Sequence, residues 1–141
     1  MSQLTLQQAL EMIQGGLAHA RGHQWRPMGV VVVDSAGQVM ASAREDGASA
    51  LRLDIALGKA GAAIGMGVNT RVLAGRSADM PVFFNAISAV SQQKFIPQTG
   101  AVLVTDTEGK LLGAVGASGG TGDEDEQLCF AGIRAVGLAC A

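Results

Sequence analysis

One stretch, residues 111–126, constrains the fold of this chain more than any other. It reads LLGAVGASGGTGDEDE and passes from apolar residues through five glycines into four consecutive acids. Glycines at this density allow the backbone to approach a neighbouring element closely or to adopt positive φ. The acids suit the first turn of a helix, because exposed N–H groups and the helix dipole favour carboxylates there. The stretch therefore predicts a strand, a tight glycine loop and a helix that continues over residues 127–139.

The rest of the chain alternates helix and hairpin signals. Helical spacing over residues 6–20 follows the capping pair Thr5 and Gln8, and Gly22 can close this helix in a left-handed conformation. Two antiparallel hairpins are predicted because short turns join their strands; the strands cover residues 29–33 with 39–43 and residues 101–105 with 110–117. Between the hairpins, helices are predicted over residues 48–66 and 82–92, whereas residues 68–80 read as irregular.

The resulting order, α-ββ-αα-ββ-α, is typical of an antiparallel sheet with helices packed against it, in the α+β class. A length of 141 residues predicts a single domain over residues 1–141. Only 16% of the residues are charged while 48% are hydrophobic, so we expect apolar surface to remain for contacts between copies. The alanine and glycine content of the helix over residues 48–66 indicates close approach by another backbone.

Composition also argues against several classes of protein. A net charge of −2 with scattered cations provides no basic stripe for nucleic acid. No run approaches the ~20 apolar residues of a membrane span, and the start of the chain lacks the features of a signal peptide. If Cys129 and Cys140 both lie on the last helix, they are roughly 16 Å apart, too far for a disulfide. We therefore expect a cytoplasmic protein whose two thiols pack as small hydrophobic groups.

Lys59 is the candidate site residue that says most about chemistry. It lies in a helix among small and aliphatic neighbours, and Arg52, seven residues earlier, shares its face. One interpretation is a solvated lysine whose stem covers apolar surface. The other is a lysine that pairs with Asp46 or with an acid near the C-terminus such as Glu126, and that holds a carboxylate-bearing or polar ligand. The sequence leaves both interpretations open.

The glycine loop and the histidines carry weaker signals. Four acids behind the loop would repel a phosphate, and no Lys-Ser/Thr pair follows it, so a tight connection is favoured over a phosphate site. A third interpretation has the loop lining a pocket into which Ser118 and one acid point. His19 and His23 are four residues apart, but no third ligand is nearby, so we predict no metal site. A single histidine is still compatible with an axial haem ligand.

Four segments resemble the GlcG/HbpS family, also found as the C-terminal domain of PduO-type proteins. They are VVVDSAG (31–37), REDG (44–47), ALGKA (56–60) and GAVGASGG (113–120), followed by Asp125 and Glu126. The resemblance implies a profilin-like subunit that assembles into dimers and higher oligomers, often octamers. It also implies a ligand pocket near subunit contacts, which maps onto Arg44, Asp46, Lys59, Ser118 and Glu126, with Gly119 and Gly120 from the loop.

Functions of different classes follow from these residues. The first is a small-molecule-binding protein, for which the resemblance implies haem or another planar ligand while leaving the cofactor unknown. The second is an enzyme acting on a small polar or carboxylate metabolite, in which Lys59 or Arg44 holds the anion and Glu126 or Asp46 moves protons. The third is a purely structural oligomer. The expected partners are a small-molecule ligand and further copies of the chain, as a dimer or an octamer.

Overall fold

An antiparallel sheet runs through the middle of the protein. In the computed structural model, which describes residues 3–92 and 94–141, the sheet has five strands in the order β2-β1-β4-β3-β5. The strands are β1 (Gly29–Asp34), β2 (Val39–Arg44), β3 (Ala101–Thr105), β4 (Leu111–Ser118) and β5 (Ala139–Cys140). The helices are α1 (Leu6–Gly22), α2 (Arg52–Met66), α3 (Thr70–Asp79), α4 (Pro81–Val90) and α5 (Gly122–Ala135). The α+β class and the order of the predicted elements are confirmed.

The sheet is covered by helices on both faces. Along β1, Val30 and Val32 pack towards α1 and α5, whereas Val31 and Val33 pack towards α2. This alternation follows from the two-residue period of a strand, and apolar residues on both faces are what a sheet with two covered faces requires. The protein therefore has three layers, with α2 on one side of the sheet and the α1–α5 pair on the other.

Small residues let α2 lie against its neighbours at very short range. A Cβ on Gly116 of β4 would lie 2.4 Å from the carbonyl oxygen of Ala56. Elsewhere on α2, the Ile96 N–H donates to the carbonyl of Gly58 at 3.0 Å. A Cβ on Gly61 would lie 2.7 Å from the carbonyl oxygen of Lys94. The close backbone approach predicted for this helix is therefore confirmed.

Two local predictions in the helical segments are wrong. Residues 70–79 form α3 rather than an irregular segment; only Thr70 and Leu73 of this helix are buried, so the sequence shows no amphipathic repeat there. Gly22 does not close α1 in a left-handed conformation, because it is the last residue of the helix. The residue with positive φ in this turn is Gln24, at 57°.

The last helix also ends earlier than the sequence predicts. It stops at Ala135, and Gly137, with φ of 71°, turns the chain into the short strand β5. Cys140 of β5 is consequently exposed, so the inward packing expected for both thiols holds only for Cys129, which is buried on α5. No helix in the described part of the chain is long and apolar enough to cross a membrane.

Capping boxes fix the starts of α1 and α5. The predicted pair of Thr5 and Gln8 is present, each side chain bonding the other residue's N–H. Thr121 and Glu124 make the same arrangement at α5, with the acids in its first turn as expected. The Thr-x-x-Glu spacing at residues 121–124 was therefore an available signal for the start of this helix.

The close approach of β4 to α2 can be tested with a pair of glycine substitutions. Gly116→Ala is expected to lower the free energy of unfolding by about 1–3 kcal/mol, because the new methyl group meets backbone atoms of α2. Gly65→Ala is the control, since its Cβ meets nothing within 4 Å. Alanine in a helix is favoured over glycine by up to about 1 kcal/mol, so this variant should be slightly more stable. Equal urea midpoints for the two variants would contradict the packing described here.

Candidate functional site

A buried ion pair between Lys59 and Asp125 joins the two helical layers. Lys59 comes from α2 and Asp125 from α5, on opposite sides of the sheet, and the Nζ–Oδ2 distance is 2.9 Å. The two side chains are only 6% and 3% exposed. Lys59 Nζ also donates to the carbonyl of Ala117 at 3.0 Å, and the Gly120 N–H donates to Asp125 Oδ1 at 2.9 Å. The pair therefore ties both helices to the end of β4 and to the glycine loop.

Gly100 provides the space through which the lysine reaches its partner. It lies just before β3, with φ of 138°, and a Cβ there would be 2.6 Å from Lys59 Nζ. The same Cβ would be 3.0 Å from Asp125 Cβ. Both the backbone conformation and the close contact therefore require glycine at this position.

The structure distinguishes between the two interpretations of Lys59. The lysine is buried and paired, so it is not a solvated side chain. Its partner is Asp125, which is one of the acids near the C-terminus, and not Asp46 or Glu126. Consecutive residues of a helix point about 100° apart, so Glu126 faces elsewhere, and Asp46 lines a different cavity. Burial raises the pKa of Asp125, while the Lys59 charge, the Gly120 N–H and the charge of Arg52 act in the opposite direction.

Glu126 instead pairs with Arg71 of α3. The arginine Nε and Nη2 donate to the two carboxylate oxygens over 2.9–3.2 Å, and Nη2 also contacts Asp123. These hydrogen bonds raise the pKa of Arg71, the one to Glu126 most strongly. Glu126 thus joins α3 to α5 as an ion-pair partner. Arg71 was not identified from the sequence, because its segment shows no helical pattern.

A cavity of about 340 Å³ opens beside the buried pair. We call it the Arg52 cavity; its polar lining consists of Arg52, Lys59, Gln98, Thr99, Ser118 and Asp125, with the backbone of Gly120 and Gly122. Arg52 Nη1 donates to Ser118 Oγ at 3.2 Å, and Ser118 is only 2% exposed. The structure therefore brings together three of the proposed ligand residues, Lys59, Ser118 and Gly120.

Arg44 and Asp46 lie in a different place. They line a cavity of about 420 Å³ together with Arg21, Pro27 and Glu45, and Arg44 Nη1 donates to the Ala48 carbonyl at 2.7 Å. Gly119 packs against Pro27, one of the residues that line this cavity. Its φ is 149°, and a Cβ there would lie 2.3 Å from the Pro27 carbonyl oxygen. The residues expected to form one pocket are thus divided between two cavities, while Glu126 lies with Arg71.

Three rings gather where α1 ends: His19, His23 and Trp25. The His19 and His23 ring centroids are 4.3 Å apart, and Trp25 stacks on His23 at 5.0 Å. Nδ1 of His23 lies 2.9 Å from the His19 carbonyl oxygen. A carbonyl only accepts, so Nδ1 carries the proton, and Nε2 of the neutral ring keeps its lone pair. Burial lowers the pKa of His19, and repulsion from the protonated form of His23 and from Arg134 lowers it further.

Arg21 holds the segment that carries Trp25. Its Nη2 donates to the carbonyls of Trp25 and Arg26 at 2.7 and 2.9 Å, and its Nε pairs with Glu45 at 2.9 Å. Glu45 in turn accepts from the Met28 N–H at 2.8 Å. The ring cluster is therefore supported by an ion pair that reaches to the end of β2. Among the described residues, no group of three or more histidines, cysteines or acids is arranged to hold a metal ion.

The contribution of the buried pair can be measured by removing its cation. Lys59→Met keeps the apolar stem but leaves Asp125 buried without its partner, which typically costs about 3–5 kcal/mol of the free energy of unfolding. Adding Asp125→Asn removes the uncompensated charge and should recover part of that loss. Lys94→Met is the matched control, because Lys94 is exposed and should contribute at most about 1 kcal/mol. An unchanged melting temperature for Lys59→Met would contradict the described pair.

The fold is shared with several solved structures. The crystal structure of the PduOC:heme complex superimposes with a TM-score of 0.86 at 22% identity, covering 98% of each chain. A double mutant of HbpS from Streptomyces reticuli gives 0.83 at 29% identity, covering 97% of this chain and 89% of that one. The protein ORFY from Klebsiella pneumoniae gives 0.85 at 26% identity, covering 96% and 92%. No curated protein sequence matches the chain.

The sequence itself matches a family model over nearly its whole length. The family is described as haem degrading protein HbpS-like, and the match covers residues 4–134. That range includes all five helices except the last residue of α5, the four long strands and both cavities described above. The resemblance noted in the sequence is thereby confirmed, and the chain belongs to the HbpS-like family.

Proposed function

We propose that this protein is a small-molecule-binding protein that takes up haem, or a closely related planar tetrapyrrole, at His23. The observation that carries the proposal is the orientation of this imidazole. Its Nδ1–H is held by the His19 carbonyl at 2.9 Å, which leaves Nε2 as the nitrogen that can bind iron. Histidines that bind metals usually donate their other N–H to a carbonyl or carboxylate in this way.

The surroundings of His23 fit such a ligand. Trp25 stacks on one face of the His23 ring at 5.0 Å, which holds the imidazole in place and adds apolar surface beside it. The exposed arginines Arg26 and Arg44 lie in the adjoining segments and are available to the acidic side chains of a haem. We assign Arg44 and the neighbouring Asp46 to the polar rim of this site. Bound haem would supply an iron centre able to hold a further small ligand or exchange electrons.

The relatives support the same proposal. The family carries the description haem degrading, and one structural neighbour was solved as a complex with haem. The acid/base alternative has less support, since it needs Lys59 or Arg44 and Glu126 or Asp46 around one substrate. Lys59 and Glu126 are each buried in an ion pair with another residue, and Arg44 and Asp46 line a separate cavity. We therefore propose ligand binding rather than catalysis.

Haem titration of the ligand-free protein tests the role of His23. The wild type should develop a shifted Soret band, and Trp25, the single tryptophan of the chain, should lose fluorescence as haem binds beside it. His23→Ala removes the ligating nitrogen and should weaken binding at least tenfold, with the Soret maximum displaced. His19→Ala is the matched control, because the carbonyl that orients His23 belongs to the backbone.

The outcomes of that titration separate the alternatives. A Soret band unchanged in both histidine variants would show that neither ring binds the iron. A wild type without any band would end the haem proposal. Fluorescence loss that persists in His23→Ala without the Soret shift would indicate stacking on Trp25 instead of ligation.

We also propose that the protein forms a homo-oligomer, at least a dimer and up to an octamer. Helix α4 buries only Phe84, while Val82 and Val90 are 83% and 85% exposed and Phe83 is half exposed. An apolar helix left outside the core is typical of a surface that packs against another chain. We assign this surface, the α4 face, to contacts with a second copy.

Light scattering of variants on the α4 face checks the assembly. The wild type should have a mass well above the 14.3 kDa of one chain at micromolar concentration. Replacing both Val82 and Val90 by lysine should lower that mass, because the lysines would have to be desolvated in the contact. Val39→Lys, an exposed valine on β2, is the control and should leave the mass unchanged. A monomeric wild type would refute the proposed assembly.

A cytoplasmic location is the remaining proposal. Both cysteines are free thiols, which suits a reducing compartment. Cell fractionation with antibodies against the protein would test it, and recovery from an extracytoplasmic fraction would overturn it.

A further inference from the structure

We propose that the Arg52 cavity is a second binding site, one that takes a small organic carboxylate. The first reason is its charge. The charged groups that line it are Arg52, Lys59 and Asp125, which together carry one excess positive charge. Asp125 lies 2.9 Å from Lys59, whereas the hydrogen-bond partner of the Arg52 side chain among the described residues is the neutral hydroxyl of Ser118. A ligand with a single negative charge would neutralise this excess positive charge.

The second reason is the arrangement of donors. A guanidinium has five N–H groups in one plane, and Arg52 uses Nη1 for Ser118, so further donors remain for a planar two-oxygen anion. Ser118 accepts that hydrogen bond through Oγ, which leaves its own hydroxyl proton free to donate. Ser118 is buried at the end of β4, and its Oγ is held by Arg52 at 3.2 Å. These two residues therefore present donors from α2 and β4 to the same space.

The third reason is the shape and polarity of the remaining walls. Ile55 and Ile96 add apolar surface to the lining, and Gln98 and Thr99 add polar atoms. The volume of about 340 Å³ is at the lower end of the roughly 300–1,000 Å³ typical of ligand pockets. A neighbouring cavity, lined by Phe84 and Phe95, shares Ile96 and Gln98 with it. The preferred ligand is thus a small acid with a short apolar body.

This site can be tested by calorimetric titration of benzoate into the full chain, prepared without haem. Benzoate should bind saturably, and benzamide, which has the same shape without the charge, should bind at least tenfold more weakly. Arg52→Gln should weaken benzoate binding about tenfold or more. Arg76→Gln makes the same change in net charge at an exposed arginine of α3 and should stay within twofold of the wild type. Melting temperatures of both variants confirm that they are folded.

A second readout locates the ligand independently of any variant. In NMR spectra, the backbone amide chemical shifts should change most at Thr99, Ser118 and Gly120 when benzoate is added. The proposal is overturned if the wild type does not bind benzoate, if Arg52→Gln binds it as well as the wild type, or if the shifts centre elsewhere. Phosphate binding more tightly than benzoate would also overturn it, because the site is assigned to a planar monoanion.

Haem also carries carboxylates, so a carboxylate in the Arg52 cavity belongs either to haem or to a separate small acid. The same variants distinguish these two sources. The carboxylate proposal does not rest on the haem proposal. His23→Ala should bind benzoate normally, and Arg52→Gln should bind haem normally. If Arg52→Gln instead weakens haem binding and benzoate competes with haem, the cavity holds a carboxylate of the haem, and the proposal of a separate site is overturned.

Discussion

The interaction on which the rest of the structure depends is the buried pair of Lys59 and Asp125. Each charge loses several kcal/mol of hydration when it leaves water, and only close pairing with further hydrogen bonds offsets that cost. The carbonyl of Ala117 and the N–H of Gly120 supply those bonds. Because the lysine belongs to α2 and the aspartate to α5, the pair can form only when both helical layers are docked on the sheet. It therefore specifies how the layers are placed relative to each other.

The glycines near the pair follow from its geometry. Gly100 must lack a side chain because Lys59 Nζ occupies that space, and Gly116 must lack one because α2 lies against β4. The loop after β4 turns so that Gly120 can donate to Asp125, and the capping box of Thr121 then starts α5 in the orientation that aims Asp125 inward. A glycine-rich sequence that could have suggested phosphate binding is thus explained by the packing around one ion pair.

The parts of the fold that depend on neighbouring residues in the chain were predictable. Both main hairpins and the strand–loop–helix of the glycine stretch are local patterns, and they appear where the sequence places them. The choice of Asp125 over Glu126 was not predictable, because it depends on the rotation of α5 when it docks. Helix α3 was not predicted because polar residues in its first turn bond to distant parts of the chain and mark no apolar helix face. Thr70 bonds the backbone of Ala101, and Arg71 donates to Glu126.

The candidate site was predictable in its residue types more than in its arrangement. Lys59 stood out because a charge in a row of alanines and glycines needs a partner, and the structure supplies one. Arg52 shares a helix face with Lys59, which the spacing showed, but its contact with Ser118 joins residues 66 positions apart. The pocket residues inferred from the family resemblance do not form one pocket, and several of them have a packing role instead: Lys59 and Glu126 are in ion pairs, and Gly119 packs on Pro27.

Both proposed sites rest on one continuous set of contacts. Gly120 bonds Asp125 beside the Arg52 cavity, and the adjacent Gly119 packs on Pro27 and Met28, which follow the ring cluster in the chain. The Met28 N–H donates to Glu45, and Glu45 is paired with Arg21. Arg21 in turn donates to the carbonyl of Trp25. Gly119 has no room for a side chain among these contacts, because a Cβ there would lie 2.3 Å from the Pro27 carbonyl oxygen. A side chain at this position would have to displace either the loop that supports Asp125 or the segment that leads from Trp25, so the two sites share one structural requirement.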